Sequence, residues 1–285
     1  MSKNKSIRRG ALGRGLSLSL AGARAGGAFA LDSALKRWRG DEAGDEARLA
    51  REAQRFAQHL GELKGSYVKI GQLFALLGEH FLPAPLTSAL HELEAQTRPV
   101  PWSQIKPTLE AALGPRMQDL DIETEALAAA SLAQVHRAQI KAGPSEVVVK
   151  VQYPELAELL DEDFNAVVRM LRLARWIPAS RDFDSWLGIL HEQLRAEIDY
   201  PRELAMATRM AEQLAAHPDL HDNPVALRVP RFWTDYCAAD VLTLDFVAGH
   251  RAGSAQVARL PQAQRNALGR CMLGRWLVGS TSSRW

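Results

Sequence analysis

The chain has 285 residues, 47% hydrophobic and 24% charged, which suits one large or two small globular domains with a sizeable core. Its net charge of +2, from 35 Lys and Arg against 33 Asp and Glu, excludes a general nucleic-acid binder, which needs a concentrated basic surface. The two cysteines, Cys237 and Cys271, lie far apart without Cys or His neighbours at metal-ligand spacing, which excludes a disulfide framework and a zinc site and makes a reduced, intracellular setting the default.

Residues 1–40 form a compositionally distinct tail. Lys3, Lys5, Arg8, Arg9 and Arg14 precede a Gly/Ala/Leu-rich stretch that Arg24 interrupts, so the stretch is a poor membrane span. It also lacks a secretory apolar region with a cleavage site. Two readings stay open, a solvated basic tail and a peripheral contact with anionic lipid. From Asp45 to Leu77 the apolar residues Leu49, Phe56, Leu60, Leu63, Tyr67, Ile70, Phe74 and Leu77 form one stripe and predict one long helix. Gly65 and Gly71 each disfavour that helix by about 1 kcal/mol relative to alanine, so close packing against another backbone is predicted there. A helix carrying Leu86, Leu90 and Leu93 follows, then one from Trp102 to Leu113 that Gly114 terminates.

Residues 121–127 are predicted as a strand that enters the small-residue run Ala128-Ala129-Ala130-Ser131. Gln134 to Ile140 reads as a second strand, joined through a turn at Gly143-Pro144 to a third. That third strand contains Val147, Val148, Val149 and Val151, with Lys150 embedded among them. A lysine in an apolar strand loses solvation unless an anion waits for it. Helical patterns occupy 155–176 and 183–198, and a further helix runs from Glu203 to about Ala215. Glu197, Asp199 and Glu203 are read either as a solvated acidic face or as the source of the carboxylate that Lys150 needs. His217 to Asp222 reads as a loop rather than a metal site. Arg228–Tyr236 and Asp240–Phe246 are predicted strands, and 262–278 a helix. A small-residue turn, a hairpin and a strand lysine, in that order, match the nucleotide lobe of a protein kinase.

The run from Ala128 to His136 resembles the alanine-rich loop of the UbiB family, atypical kinase-like proteins linked to ubiquinone biosynthesis. Val147 to Pro154 resembles the family's lysine strand. Lys69-Ile70-Gly71-Gln72 resembles its Lys-x-Gly-Gln signature, an element that ordinary kinases lack, and Glu197-Ile198-Asp199 with Glu203 resembles its Glu-x-Asp motif. The resemblance covers roughly residues 40–275. It implies an α+β fold: a protein-kinase-like small lobe with an N-terminal helical extension and only the beginning of the large lobe. The implied division is a tail at 1–40, a helical extension at 41–115, the small lobe at 116–249 and the start of a truncated large lobe at 250–285.

The resemblance also implies ATP as the ligand, or ADP, with Mg²⁺ expected for the family. Ala128, Ala129, Ala130 and Ser131 would cover the phosphates, Lys150 would contact them with Glu203 as its partner, and Asp245 and Val247 would flank the adenine edge. Lys69, Gly71 and Gln72 would lie over the site, facing Glu197 and Asp199. The family's catalytic Asp, its metal-binding Asn and its Asp-Phe-Gly segment have no counterpart after Gly249, and residues 246–285 contain no Asp or Glu. No catalytic or metal-binding residue is therefore assigned. The expected function is an atypical kinase-like ATP-binding protein or ATPase of the ubiquinone lineage, with two rivals: a catalytically dead nucleotide-binding module and a helical scaffold or lipid-contact protein. Expected partners are membrane lipid or quinone-pathway proteins, with homo-association through apolar residues of the last helix such as Met272 and Trp276. The expected place is the cytoplasm, peripheral at a membrane.

Overall fold

The structure is a computed structural model that describes residues 43–63, 65–78, 81–93, 99–143, 145–174, 176–177, 180–216, 225 and 227–282. The tail at 1–40 and the His217–Asp222 stretch lie outside the described residues, as do the side chains of Leu77 and Trp276.

The fold is α+β. Helices α1 (Ala43–Leu63), α2 (Ser66–Leu77), α3 (Ala84–His91) and α4 (Trp102–Leu113) precede the strands β1 (Leu120–Ala129), β2 (Ala133–Ile140) and β3 (Glu146–Gln152). Helices α5 (Leu156–Leu173), α6 (Arg181–Ala196) and α7 (Tyr200–Ala216) follow, then β4 (Val241–Asp245), the short α8 (Ala255–Ala258) and α9 (Gln262–Ser282). The four strands form one antiparallel sheet in the order β1-β2-β3-β4.

Two apolar cores take up helices α1 to α6. Phe56, Tyr67, Ile70 and Phe74 of α1 and α2 pack with α3, α5 and α6, where Phe164, Phe183 and Trp186 complete an aromatic cluster. Helix α4 belongs to the other core. Its Ile105, Leu109 and Leu113, spaced four apart, cover Val147, Val149 and Val151 on one face of the sheet.

The single helix predicted over 45–77 is two helices. Gly65 adopts φ 61°, ψ −132°, a backbone region open to glycine almost alone, and the chain bends there so that α2 packs beside α1 and α3. The two glycines therefore have different causes. A Cβ built on Gly65 would touch nothing, whereas one on Gly71 would lie 2.4 Å from Leu93 Cδ1. Close packing holds at Gly71 alone, and against a side chain rather than a backbone.

The predicted strand Arg228–Tyr236 is likewise corrected. Pro230 lacks an N–H, Thr234–Tyr236 forms a 3₁₀ turn, and pairing with β4 shrinks to one bridge, Phe232 with Leu244. The helix ending at Gly114, the strand spans flanking Lys150 and the helix from 262 agree with the sequence reading.

A polar network is built into the sheet–α4 interface. His136 is fully buried, edge-on to the Trp102 ring. Its Nδ1 lies 2.8 Å from the Glu123 carbonyl, which can only accept, so Nδ1 carries the proton. Nε2 then accepts from the Gln134 amide at 2.8 Å. Gln134 in turn accepts from Val100 N at 3.0 Å and donates to Val100 O at 3.4 Å, fixing the segment ahead of α4. Burial lowers the pKa of His136 against two opposing backbone hydrogen bonds.

A folded pKa below the unfolded value means that the stabilisation is complete above about pH 6.5 and is lost as pH falls through the folded pKa. Urea midpoints should therefore drop on the acid side of 6.5, and His136→Gln should flatten that slope relative to the parent; parallel slopes would count against the assignment. Gly65→Ala should cost about 1–3 kcal/mol from backbone strain. Gly188→Ala, exposed in the middle of α6 with open space around it, should instead stabilise by about 0.5–1 kcal/mol, both read by urea denaturation.

Candidate nucleotide site on the open sheet face

Strand alternation places the even-numbered residues of β3 on the face opposite α4. Lys150 stands there, level with Val135 of β2 and Leu242 of β4. Its Nζ lies 2.7 and 3.0 Å from the two carboxylate oxygens of Glu203, in the first turn of α7. It also sits 4.5 Å from the centre of the Tyr200 ring. Burial raises the pKa of Tyr200, with the neighbouring Glu203 charge adding to the effect, so the ring stays neutral under the lysine. The lysine is not enclosed: the side chains of Lys150 and Glu203 are 30% and 43% exposed. The lysine and its carboxylate thus form a wet pair rather than a dry one. A pair this wet contributes about 0–1 kcal/mol to stability.

Residues 197–203 are tied down at successive positions. Lys69 of α2 reaches Glu197 at 2.9 Å. Gln152, two residues beyond Lys150 on the same face, donates to the Ile198 carbonyl at 2.5 Å. The Asp199 carboxylate accepts from Arg202 N at 3.0 Å and caps α7. Lys150 holds Glu203. Lys69 and Glu197 are thus brought together, whereas Gln72 turns away and donates to the Leu93 carbonyl at 3.3 Å. Gly71 lies against Leu93 in the helical core.

The alanine run is half strand and half turn. Ala128 and Ala129 pair with Val135 and Gln134, and only residues 130–132 turn, closed by Ala130 N donating to Ala133 O at 2.8 Å. Ser131 is buried there. Tyr153 grips this turn twice: its N–H donates to the Leu132 carbonyl at 3.1 Å and its hydroxyl to the Ala130 carbonyl at 3.0 Å. Burial pushes its pKa up to about 12. At the far end of β4, Asp245 is paired with Val147, which puts its side chain on the α4 face rather than on that of Lys150, and its carboxylate accepts from Trp233 Nε1 at 2.9 Å. Val247 beyond it is 59% exposed. Arg137 stacks over the Phe246 ring at 4.1 Å, and Phe246 N donates to the Glu146 carbonyl.

Sequence reasoning missed Tyr153, Tyr200 and Gln152. Only Gln152 had a readable signal, since the period of two puts it on the face of Lys150. Among the described residues no three His, Cys, Asp or Glu side chains converge on a point that could hold a metal ion. None of the described helices is long and apolar enough to cross a membrane.

The model of the ABC1 atypical kinase-like domain matches residues 92–278. The fission-yeast protein named "Atypical kinase COQ8, mitochondrial" (Schizosaccharomyces pombe) is 27% identical over 244 residues, 84% of this chain and 38% of that protein. The rat protein "Atypical kinase COQ8B, mitochondrial" (Rattus norvegicus) is 31% identical over 69% of this chain and 36% of its own length. The chain therefore spans less than two-fifths of each of these two relatives. A solved structure, the complex of Rv3197 with erythromycin from Mycobacterium tuberculosis, is 27% identical with a TM-score of 0.41, covering 74% of this chain and 51% of that one. With its lysine strand, its alanine turn and a family match over most of its length, the chain belongs to the ABC1 atypical kinase-like family, the UbiB lineage.

Proposed function

We propose that this chain binds ATP or ADP on the open sheet face and is the nucleotide-holding part of an atypical kinase-like ATPase of the ubiquinone-biosynthesis lineage. The observation that carries the reading is the Lys150–Glu203 pair: an oriented, half-exposed lysine two residues from the alanine turn, in an arrangement that contributes little to stability. Lys150 meets the phosphates, Glu203 and Tyr200 fix its direction, and Ala128, Ala129, Ala130 and Ser131 cover them. Phe246 N bonds Glu146, four residues along β3 from Lys150, roughly 13 Å, so the base extends toward Asp245 and Val247. The Asp245 side chain is engaged by Trp233, which leaves recognition of the base edge to backbone groups.

Helix α2, tied by Lys69 to Glu197, serves as a cover that disfavours peptide substrates; Gly71 and Gln72 seat it on Leu93 and Asp199 starts the helix that bears Glu203. Magnesium would neutralise phosphate charge when bound. The described residues do not fit a site for it, and residues 246–285 carry no carboxylate side chain. The role read for these residues is therefore holding the nucleotide rather than transferring its phosphate. Exposed Met272 and Leu273 on α9 support self-association. A position beside a membrane, near quinone-pathway proteins, rests on the lineage; the cytoplasmic expectation gains no support from it, because the fission-yeast and rat relatives are named as mitochondrial.

Lys150→Ala should weaken ATP and ADP binding at least about tenfold in calorimetric titration while shifting stability by less than about 1 kcal/mol. Unchanged affinity would end the reading. Glycine in place of alanine frees the turn by about 0.5–1 kcal/mol of backbone entropy, so Ala129→Gly should alter the ratio of ATP to ADP affinity. An identical ratio in variant and parent would argue against the alanine run as a phosphate cover.

A further inference from the structure

One side chain joins the end of the lysine strand to the alanine turn. Tyr153 stands where the chain leaves β3, a few residues beyond Lys150. It is 5% exposed and belongs to the core that α4 shares with the sheet. Its hydroxyl donates to the Ala130 carbonyl at 3.0 Å, and its N–H donates to the Leu132 carbonyl at 3.1 Å. A single residue therefore holds the first and last carbonyls of the turn at 130–132. Ala130 N is committed as well, to Ala133 O at 2.8 Å. Among the described residues the N–H groups of Ser131 and Leu132 meet no acceptor.

That division of backbone groups matters for an anion. A carbonyl oxygen carries partial negative charge and repels a phosphate, whereas an N–H attracts one. The Ala130 carbonyl is directed at the Tyr153 hydroxyl, on the side of the turn where α4 packs, while Lys150 stands on the other face of the sheet. What the turn keeps for a ligand is thus rich in donors. Ala130 and Leu132 have no side-chain donor of their own with which to hold a carbonyl in place. A buried phenol seeks an acceptor wherever it lies. Here the hydroxyl and the N–H of the same residue both go to the turn. Burial pushes the Tyr153 pKa up to about 12, so the hydroxyl remains a donor at neutral pH.

We propose that Tyr153 is a positioning residue for the nucleotide phosphates: it ties the alanine turn to the end of the lysine strand and holds the turn's carbonyls away from the ligand. The proposal rests on the nucleotide reading of the lysine face. It gives the stiffness of the turn two sources, the alanine backbone and the Tyr153 clasp.

The test compares the full chain with Tyr153→Phe, which keeps the ring in its core and removes one donor. A third protein carries 4-aminophenylalanine at position 153, which restores a donor at the same place. Hydrogen exchange is read first, without nucleotide. Exchange at the Ala130 N–H, whose bond closes the turn, should quicken about fivefold in Tyr153→Phe and return toward the parent's rate with the amino analogue. Displacement of a fluorescent ADP analogue by ATP, ADP and AMP is read second. ATP and ADP should each lose about fivefold in affinity in Tyr153→Phe, AMP should stay within about twofold, and the amino analogue should recover most of the loss. A tyrosine with a structural role alone would weaken all three nucleotides alike. Unchanged Ala130 exchange, an equal loss for the three nucleotides, or no recovery with the amino analogue overturns the proposal and leaves the lysine face a nucleotide site. If the parent chain binds neither ATP nor ADP, the reading of the lysine face fails and the proposal falls with it.

Discussion

A strand can give only one of its faces to a covering helix, and β3 puts its two faces to different uses. Val147, Val149 and Val151 are sealed under α4, which fixes the strand in the core. The same alternation sets Lys150 and Gln152 on the other face, where α7 and the segment ahead of it approach. The rigidity of the site is thus borrowed from apolar packing on the far side of the sheet. The charged groups can then be placed for chemistry instead of stability, which is why a lysine and a glutamate that add little to folding still hold a defined geometry.

The second organising element is the short segment from Glu197 to Glu203. It has little apolar anchoring of its own apart from Ile198 and Tyr200. It is held instead by polar ties to α2 and β3 and by its own Asp199 cap. Each tie is worth about 1–3 kcal/mol or less, and most are open to water. A segment restrained in this way can move when one tie is exchanged for another.

The deeply buried polar groups behave differently. The Gln134–His136–Glu123 network has its two side chains fully buried and hydrogen-bonded, on the sheet face opposite Lys150. It fixes the approach of α4 through Val100, so it specifies which helix covers the sheet. The Ser66–Asp163 pair plays a similar part where the helices of the first core meet the chain leaving β3. In both places the cost of burying polar atoms without partners makes the arrangement specific.

Periodicity by itself determined the helix and strand character of most of the chain and the parity of Lys150 against its valine neighbours, whereas the motifs at 69–72, 128–131 and 197–203 were legible through their resemblance to a family. These signals are local, because burying an apolar stripe or a strand face requires a fixed spacing. Tertiary structure alone decided the break at Gly65. An uninterrupted apolar stripe is compatible with one helix or two, and only the need of α2 to pack beside α1 and α3 selects the second. It also decided that α4 serves the sheet, that Gln72 turns to Leu93 while Lys69 reaches Glu197, and that Tyr153 grips the alanine turn. Such contacts join residues tens of positions apart. Their formation depends on which surfaces the two cores leave adjacent, a quantity that no spacing along the chain encodes.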